Sequence, residues 1–474
     1  MKRDPSRRSL TPWRVSALAA LLTLTLGSSA QTSLRWQPAN PSLPAPVSTD
    51  AVARGQGSDG TAPQGLGIGA PANANVRVQA LAAGFDVQQF EAMAQAMVAD
   101  QRIPGMAMAI VHNGQILSAR GYGITDVRNA EAIDAHTVFR LASLSKSFAG
   151  TLTGLLVNDG TLRWDSKVVD YMPGFQLVDS SAAHNVTVAD VLSHRVGLGH
   201  NTYDRDLENY ADYRVLTQKL AYAPMTCQPG TCYGYQNIAF SLIGDVVFAA
   251  TGDFYSQEVQ RRLFKPLGMN DASLGLEGIT SAARWAKPHV RARGGWASVT
   301  PKPTYYQLPP AAGVNASASD MAQWLIAQTG HRPDVLPLPL LATLHQPLVD
   351  TPSEIRGSSW RRQRIGSAGY ALGWRVFDYA GHRVVFHAGA VQGYRGMVAM
   401  MPERDLGIAV LWNSESGLPT GLLPTILDRA IGMPVQRWLD VDGFDDPGLY
   451  ASEGVGPARD INGSNAQKST AAPK

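Results

Sequence analysis

The sequence predicts an α+β fold, in which an antiparallel sheet flanked by helices is joined to a mainly helical second domain. Near the start, "GMAMAIVHNGQILSARGYG" is typical of two strands joined at His112-Asn113-Gly114, because Asn-Gly favours a two-residue hairpin turn. Near the end, "GMVAMMPERDLGIAVLWN" indicates a second hairpin that turns at residues 402–405. Since both hairpins are apolar enough to be buried, we expect them to share one sheet.

Helical patterns surround and separate the two hairpins. The pattern "FDVQQFEAMAQAMVADQRI" precedes the first hairpin, so we expect the folded domain to span residues 85–450. Its α/β part would comprise residues 85–165 and 310–450. The intervening residues 166–309 are rich in helical patterns, loops, Tyr and Pro, and predict the helical part. We expect the functional cleft where the two parts meet.

The two ends of the chain predict no folded structure of their own. Residues 1–30 resemble a signal peptide, with a basic start, an apolar run at 15–26 and small residues for cleavage after Ala30. The run is short for a membrane span, although a membrane anchor or a buried helix remains an alternative. Residues 31–84 and 451–474 predict a disordered Pro/Ala/Gly-rich spacer and a disordered tail. The mature protein is therefore expected to be periplasmic or secreted, through either the Sec or the twin-arginine route.

The charge of the chain points to no nucleic-acid or membrane-surface partner. The formal net charge is +3, but the first 30 residues hold five basic side chains and one acidic one. The remainder is therefore close to neutral, which gives no basic surface for a polyanion.

The chain has two cysteines, Cys227 and Cys232, which flank a Pro-Gly pair in "CQPGTC". Pro-Gly favours a tight turn that brings the two sulfurs together. In an oxidising compartment this predicts a disulfide, with two separate thiols as the alternative.

The stretch "FRLASLSKSFAGTLTGLLVNDG" places a lysine at the start of an apolar helix. Ser143 and Lys146 are three residues apart, so they share one face of that helix. A serine is a weak nucleophile that needs a nearby base, and a lysine held in an apolar site can act as one. Ser-x-x-Lys alone is a common pattern, compatible with a surface serine and a solvated lysine.

Two further motifs follow in order. "GYQNIAFSLIGDVV" sets Tyr235 and Asn237 just before an apolar helix; a phenol beside a lysine can shuttle a proton, and an asparagine can bind a substrate amide. "VVFHAGAVQGYRG" sets His387-Ala388-Gly389 at the end of an apolar strand. There glycine allows a close approach of backbone, and the N–H of Ala390 would help to form an oxyanion hole. Taken singly, Tyr235 and His387 are also compatible with buried structural residues.

The ordered triple resembles the serine β-lactamase and penicillin-binding superfamily, and within it the class C-like serine hydrolases. Further stretches that resemble this family are "TVADVLSHRVGLGH", "KPLGMNDASLG", "AAGVNASASDMAQWL" and "YALGW". The resemblance implies the same α+β fold and no metal or cofactor. The absence of zinc-hydrolase histidine patterns and of a Gly-x-Ser-x-Gly elbow agrees with it.

By this resemblance Ser143 is acylated with help from Lys146 and Tyr235. Asn237 binds the acyl side chain, and the N–H groups of Ser143 and Ala390 bind the oxyanion. The implied partner is a small-molecule substrate, either a β-lactam or a D-amino-acid peptide. The oligomeric state stays open.

The third motif leaves the substrate open. Efficient class C β-lactamases carry Lys-Thr-Gly where this chain has His387-Ala388-Gly389, which removes a permanent cation and a hydroxyl. Arg395 is an alternative source of charge, but we expect it to be a solvated loop residue. A carboxylesterase acting on small acyl esters and a penicillin-binding sensor with little turnover remain alternatives.

Overall fold

The computed structural model describes residues 78–99 and 102–441. The strands, numbered in chain order, are β1 Gly105–His112, β2 Gln115–Gly123, β3 Phe139–Arg140, β4 Ser273–Leu274, β5 His289–Ala292, β6 Gly295–Ser298, β7 Val314–Ala316, β8 Val349–Asp350, β9 Ile365–Tyr370, β10 Arg375–Tyr379, β11 His382–Val391, β12 Tyr394–Met401 and β13 Leu406–Trp412.

The α-helices are α1 Val87–Ala99, α2 Ser145–Asn158, α3 Val168–Tyr171, α4 Ser180–Asn185, α5 Val188–Leu192, α6 Asp204–Glu208, α7 Tyr213–Lys219, α8 Ile238–Thr251, α9 Tyr255–Val259, α10 Lys265–Leu267, α11 Gly275–Thr280, α12 Pro309–Ala312, α13 Ala318–Ile326, α14 Leu338–Leu344, α15 Ser359–Arg364, α16 Leu422–Ile431 and α17 Trp438–Val441. Short 3-10 turns occur at Ala142–Leu144, Leu220–Tyr222, Thr304–Gln307, Pro352–Arg356, Pro402–Arg404 and Leu418–Gly421, and π-helical turns at Gln260–Phe264 and Ala327–His331.

The two predicted hairpins lie side by side as one half of an eight-stranded antiparallel sheet with the order β2-β1-β13-β12-β11-β10-β9-β8. The first hairpin turns at Asn113 and Gly114, whose φ angles of 49° and 69° are both left-handed, as an Asn-Gly turn requires. The second turns through Pro402–Arg404, and β1 pairs with β13 along its length. The predicted shared sheet and the α+β class are therefore confirmed.

Strands β1, β12 and β13 are buried on both faces, which explains their nearly continuous apolar sequences. Along β1, Ala107 and Ala109 face a core that includes α2 and α13, whereas Met106 and Met108 face a second core that includes α1 and α16. Between β3 and β7 the chain forms mostly short helices, together with the small β5–β6 hairpin.

The described chain begins before the predicted domain boundary. The Gln79 N–H donates to the Glu403 carbonyl oxygen and the Ala82 N–H to that of Ala430. The end of the predicted spacer, residues 78–84, therefore packs on the domain, which corrects the boundary at 85. The predicted signal peptide, most of the predicted spacer and the predicted tail after 450 lie outside the described residues.

The predicted disulfide is present between Cys227 and Cys232. Its loop is held beside α5, where the Gly230 N–H donates to the Arg195 carbonyl oxygen. Within the described ranges no single helix is long and apolar enough to cross a membrane, and one pair bent by 83°, Ile238–Thr251 with Tyr255–Leu267, meets the length and composition criteria only when taken together.

Candidate active site

Ser143 lies where the 3-10 turn Ala142–Leu144 runs into α2. The flanking side chains of Leu141 and Leu144 are buried in the core and anchor the turn. Ala142 has a left-handed φ of 49°, a conformation that costs a residue with a Cβ about 1–2 kcal/mol. Such strain is concentrated at functional sites, and here it bends the chain immediately before the predicted nucleophile.

Lys146 is fully buried in the first turn of α2. Its Nζ lies 3.2 Å from Ser143 Oγ, 2.7 Å from Asn237 Oδ1 and 3.1 Å from the Ala311 carbonyl oxygen. A buried amine is tolerated only where polar partners replace its hydration, and these three oxygens do so. Lys146 can therefore be fully buried because three oxygen atoms accept hydrogen bonds from it. One of the three is Ser143 Oγ, the predicted nucleophile.

Tyr235 is fully buried in the loop before α8, next to Lys146. The Nζ of Lys146 lies 4.7 Å from the centre of its ring, and the guanidinium carbon of Arg375 lies 5.2 Å from the same point. The imidazole of His194 packs against the ring with 4.3 Å between centroids. Tyr235 is thereby held between two cations, beside the predicted nucleophile and its base.

Asn237 immediately precedes α8 and is held on both sides of its amide. Its Oδ1 accepts from Lys146, and its Nδ2 donates to Asp204 Oδ2 over 2.7 Å. Burial raises the pKa of Asp204 to about 6, although the bond from Asn237 and the charge of Lys146 act in the opposite direction. Asp204 was not among the residues predicted from the sequence.

The third motif lies inside β11, which continues past it to Val391 rather than ending there. β10 pairs with β11 only as far as Phe386, whereas β12 pairs with it through to Val391. The stretch from His387 onward therefore has a sheet neighbour on one side only. Gly389 packs against the Ser143 turn: a Cβ placed on it would lie 2.4 Å from the Leu141 carbonyl oxygen. Ala390 follows directly.

His387 is fully buried and lies in a chain of hydrogen bonds. The Gln236 N–H donates to His194 Nδ1 over 3.1 Å, so the proton of a neutral His194 is on Nε2, 3.2 Å from Tyr370 Oη. The Tyr370 hydroxyl donates in turn to His387 Nε2 over 3.0 Å, and His387 Nδ1 donates to the Ala388 carbonyl oxygen over 2.7 Å. Each ring thereby has a fixed tautomer.

Burial and neighbouring cations keep both histidines neutral. Burial first, then the charges of Arg375 and Lys146, lower the pKa of His387 well below its ordinary value. Burial and the same two cations act in the same direction on the pKa of His194. His387 therefore carries no positive charge that would replace the lysine of Lys-Thr-Gly.

A buried ion cluster lies beside His387. Arg375 Nη1 donates to His387 Nε2 over 3.3 Å, and its Nε lies 3.4 Å from Glu354 Oε2. Arg361 Nη1 lies 2.7 Å from the same oxygen. Although burial opposes it, the two guanidinium groups hold the pKa of Glu354 below its usual value. Two cations share one carboxylate here, so the cluster contributes net positive charge to this side of the site.

Residues 90–432 match the family described as Beta-lactamase. The chain belongs to this family. The unguisins hydrolase ungD' of Aspergillus campestris is 25% identical over 71% of this chain, which spans 64% of that relative's length. Penicillin-binding protein 4 of Amycolatopsis lactamdurans is 27% identical over 73% of this chain and 90% of its own. The octameric penicillin-binding protein homologue from Pyrococcus abyssi has a TM-score of 0.64 at 22% identity, covering 73% of this chain and 78% of that one.

The three sequence motifs meet in one site, but several polar side chains around that site were not predicted from the sequence. The predicted Ser143, Lys146, Tyr235 and Asn237 come together, and Gly389 packs on their turn. The residues that sequence reasoning missed are His194, Asp204, Glu354, Tyr370 and Arg375. His194 lies in the family-like stretch "SHRVGLGH" and Tyr370 in "YALGW". The resemblance of these stretches to the family was the sequence signal that could have pointed to the two residues.

The position of Arg395 differs from the one predicted from the sequence. It was predicted to be a solvated loop residue, but it lies in β12 with only 3% of its surface exposed. Its Nη1 donates to the carbonyl oxygens of Val391 and Tyr394. Among residues 78–99 and 102–441, no group of three or more His, Cys, Asp or Glu side chains is placed to hold a metal ion.

Proposed function

We propose that this protein is an exported serine hydrolase that forms an acyl-enzyme on Ser143 and hydrolyses β-lactams or related D-amino-acid amides and peptides. The observation that carries the proposal is the 3.2 Å distance between Lys146 Nζ and Ser143 Oγ in a fully buried setting. The similarity to a penicillin-binding protein over 90% of that relative's length supports the substrate class.

The partners of Lys146 favour its action as a base. Asn237 Oδ1 and the Ala311 carbonyl oxygen can only accept hydrogen bonds, so each takes one N–H of the amine. A neutral amine has two N–H groups and one lone pair. As a cation, Lys146 also donates to Ser143 Oγ over 3.2 Å. Once it is neutral, its two N–H groups serve the other two acceptors, and its lone pair is left for the Ser143 hydroxyl.

The reaction follows from this arrangement. Ser143 Oγ attacks the substrate carbonyl carbon while its proton moves to Lys146 Nζ, and the N–H groups of Ser143 and Ala390 stabilise the oxyanion. As the intermediate collapses, a proton reaches the leaving nitrogen or oxygen through the Tyr235 hydroxyl. Water activated at Tyr235 then attacks the ester carbonyl, restores the Ser143 hydroxyl and releases the acid product.

The charges around the cleft favour a substrate with a carboxylate. Asn237 uses its oxygen and one N–H on protein groups, so its second N–H remains for the carbonyl of an acyl side chain. Arg375, rather than the neutral His387, provides the permanent cation beside the third motif. A carboxylate on the leaving side of the substrate would be attracted there.

The experiment that tests this function incubates the mature protein with a chromogenic cephalosporin and, separately, a short-chain nitrophenyl ester, following colour and intact mass. Sustained cephalosporin turnover through an adduct on Ser143 is the expected result. A persistent adduct with little turnover would favour the penicillin-binding sensor, and ester turnover alone the carboxylesterase.

Variants on α2 identify the nucleophile. Ser143→Ala should abolish the adduct, and Lys146→Ala should slow its formation by about 100-fold or more, as expected for loss of a general base. Ser147→Ala is the matched control, because Ser147 is buried on the same helix and its hydroxyl donates to the Leu144 carbonyl oxygen, away from Ser143. Normal turnover in either of the first two variants would disprove the assignment.

We place the protein in the periplasm or outside the cell, after cleavage near Ala30. The disulfide between Cys227 and Cys232 is compatible with that location. The mass of the protein recovered from a periplasmic or culture fraction tests this location. A mature protein that begins at or near Gln31 would support the proposed cleavage, and one that begins far from Gln31 would contradict it.

A further inference from the structure

Asp204 is the buried end of a chain of side chains that leads to the nucleophile. It is the first residue of α6, is 3% exposed, and accepts at Oδ2 from Asn237 Nδ2 over 2.7 Å. The other end of that amide, Asn237 Oδ1, accepts from Lys146 Nζ, which contacts Ser143 Oγ. The contacts therefore run in sequence from Asp204 through Asn237 and Lys146 to Ser143.

The charge state of Asp204 influences which way the Asn237 amide points, together with the bond from Lys146. A carboxylate can only accept hydrogen bonds, so it binds the NH2 end of the amide and directs the oxygen toward Lys146. With the amide reversed, its NH2 group would face Lys146 Nζ. The lone pair of a neutral Lys146 would then be drawn toward Asn237 and away from Ser143.

We propose that Asp204 is a positioning residue for the proposed acylation of Ser143, because its carboxylate fixes the Asn237 amide and thereby directs the lone pair of Lys146 at the nucleophile. This inference rests on the proposed function. It adds a residue that acts through Asn237 and touches neither substrate nor reacting atoms.

The surroundings of Asp204 make this role dependent on pH. The groups that face it are Lys146 from α2, Asn237 before α8, Tyr305 Oη at 3.4 Å from Oδ2, and Glu208 on its own helix. Burial, aided by the charge of Glu208, raises its pKa to about 6. Above that pH Asp204 is a carboxylate and fixes the amide. Below it, the neutral acid can donate as well as accept, so Asp204 no longer helps Lys146 to fix the amide.

The test measures the rate at which a fluorophosphonate labels Ser143, from below to above pH 6, since labelling needs an activated serine but no natural substrate. Wild type should lose rate as the pH falls through about 6. Asp204→Asn should label about 10- to 100-fold more slowly at neutral pH, the scale of a misplaced catalytic group, and without that acidic transition. Asparagine has nearly the same shape as aspartate but can donate as well as accept, and it does not titrate.

Glu208→Gln is the matched variant. Glu208 Oε1 accepts from the Tyr305 hydroxyl over 3.1 Å, a bond that glutamine can keep, but its negative charge is removed. Because that charge helps to raise the pKa of Asp204, the acidic transition should move to lower pH, with the neutral-pH rate unchanged. This variant reports on Asp204 even if Asp204→Asn fails to fold.

The outcomes separate the two proposals. Wild-type labelling kinetics in Asp204→Asn, a slowed variant that keeps the acidic transition, or an unmoved transition in Glu208→Gln would each overturn the role of Asp204. In those cases labelling of wild type, and none of Ser143→Ala, would leave the proposed function standing. If wild type is not labelled on Ser143, the proposed function itself fails and the role of Asp204 with it.

Discussion

The backbone of Gly389 packs so closely on Ser143 that a Cβ on the glycine would lie 3.0 Å from the serine nitrogen. It would also lie 2.4 Å from the Leu141 carbonyl oxygen and 2.8 Å from a methyl group of Leu144. The backbone oxygen cannot yield as the end of a side chain can. The glycine of the third motif therefore sets the distance between β11 and the Ser143 turn.

Gly389→Ala should move the Ser143 turn away from β11. We expect kcat/KM to fall about 100-fold, which is the typical cost of displacing a catalytic group by about 1 Å. Overpacking should also lower the free energy of unfolding by about 1–3 kcal/mol. Ester hydrolysis and urea unfolding measure the two effects. Gly174→Ala is the control, because nothing lies within 4 Å of its Cβ position. Wild-type kcat/KM in Gly389→Ala would contradict the close packing.

Tyr370→Phe should weaken the site without unfolding it. The hydroxyl lies 3.2 Å from His194 Nε2 and 3.0 Å from His387 Nε2. Its removal leaves a buried donor and a buried acceptor without this partner, which costs about 1–3 kcal/mol of unfolding free energy. We also expect a lower kcat/KM, because the ring of His387 loses one of the donors that hold it in the third motif. Urea unfolding and ester hydrolysis check this.

Tyr255→Phe is the matched control for that change. The Tyr255 hydroxyl is buried and has no hydrogen-bond partner within the described residues. Its removal should leave stability unchanged or slightly higher. Equal losses in the two variants would mean that the bonds to the histidines contribute nothing.

Much of the fold was predictable because its signals are local. Each hairpin lies within about twenty consecutive residues, and the Asn113-Gly114 turn specifies its own backbone conformation. Ser143 and Lys146 are neighbours on one helix, so their contact also follows from spacing. The extent of β11 was less predictable, since the register with β12, rather than the motif, decides where the strand ends.

The missed residues depend on contacts between distant parts of the chain. Asp204 reaches Asn237 across 33 positions, and Tyr370 reaches His194 across 176. No local periodicity encodes such pairs. Arg395 was predicted wrongly for the same reason: its pairing with Trp412 of β13, 17 positions away, makes it part of a buried strand.

Arg375→Gln should change substrate preference more than overall activity. Without the cation beside His387, we expect the ratio of kcat/KM for a carboxylate-bearing cephalosporin to that for a neutral nitrophenyl ester to fall about 10-fold or more. That is the scale of a hydrogen bond to a charged group. Steady-state kinetics with both substrates measure the ratio.

Arg361→Gln is the control for Arg375. It removes a cation from the same carboxylate, Glu354 Oε2, but not the one bonded to His387. Each variant leaves one arginine paired with Glu354, so their effects on stability should be similar. An equal change in the substrate ratio for both variants would show that the cluster acts only through its total charge.

His345 should make the folded state less stable in acid. It is buried, its Nε2 lies 3.0 Å from Gln328 Oε1, and burial, followed by the charge of Arg383, lowers its pKa to about 3. In the unfolded chain its pKa is near the ordinary value of about 6.5. As the pH falls from 6.5 toward 3, the unfolded state therefore binds a proton that the folded state does not. Unfolding free energy should fall by about 1.4 kcal/mol per pH unit from this residue alone.

His345→Gln should remove that contribution while keeping a donor for Gln328. Urea unfolding at a series of pH values should show a slope smaller by about 1.4 kcal/mol per pH unit between pH 6 and 4. Some acid sensitivity should remain, because His194 and His387 also have lowered pKa values. His184→Gln, at an exposed position, should keep the wild-type slope. The same slope in His345→Gln would mean that His345 takes up its proton in the folded state as readily as in the unfolded chain.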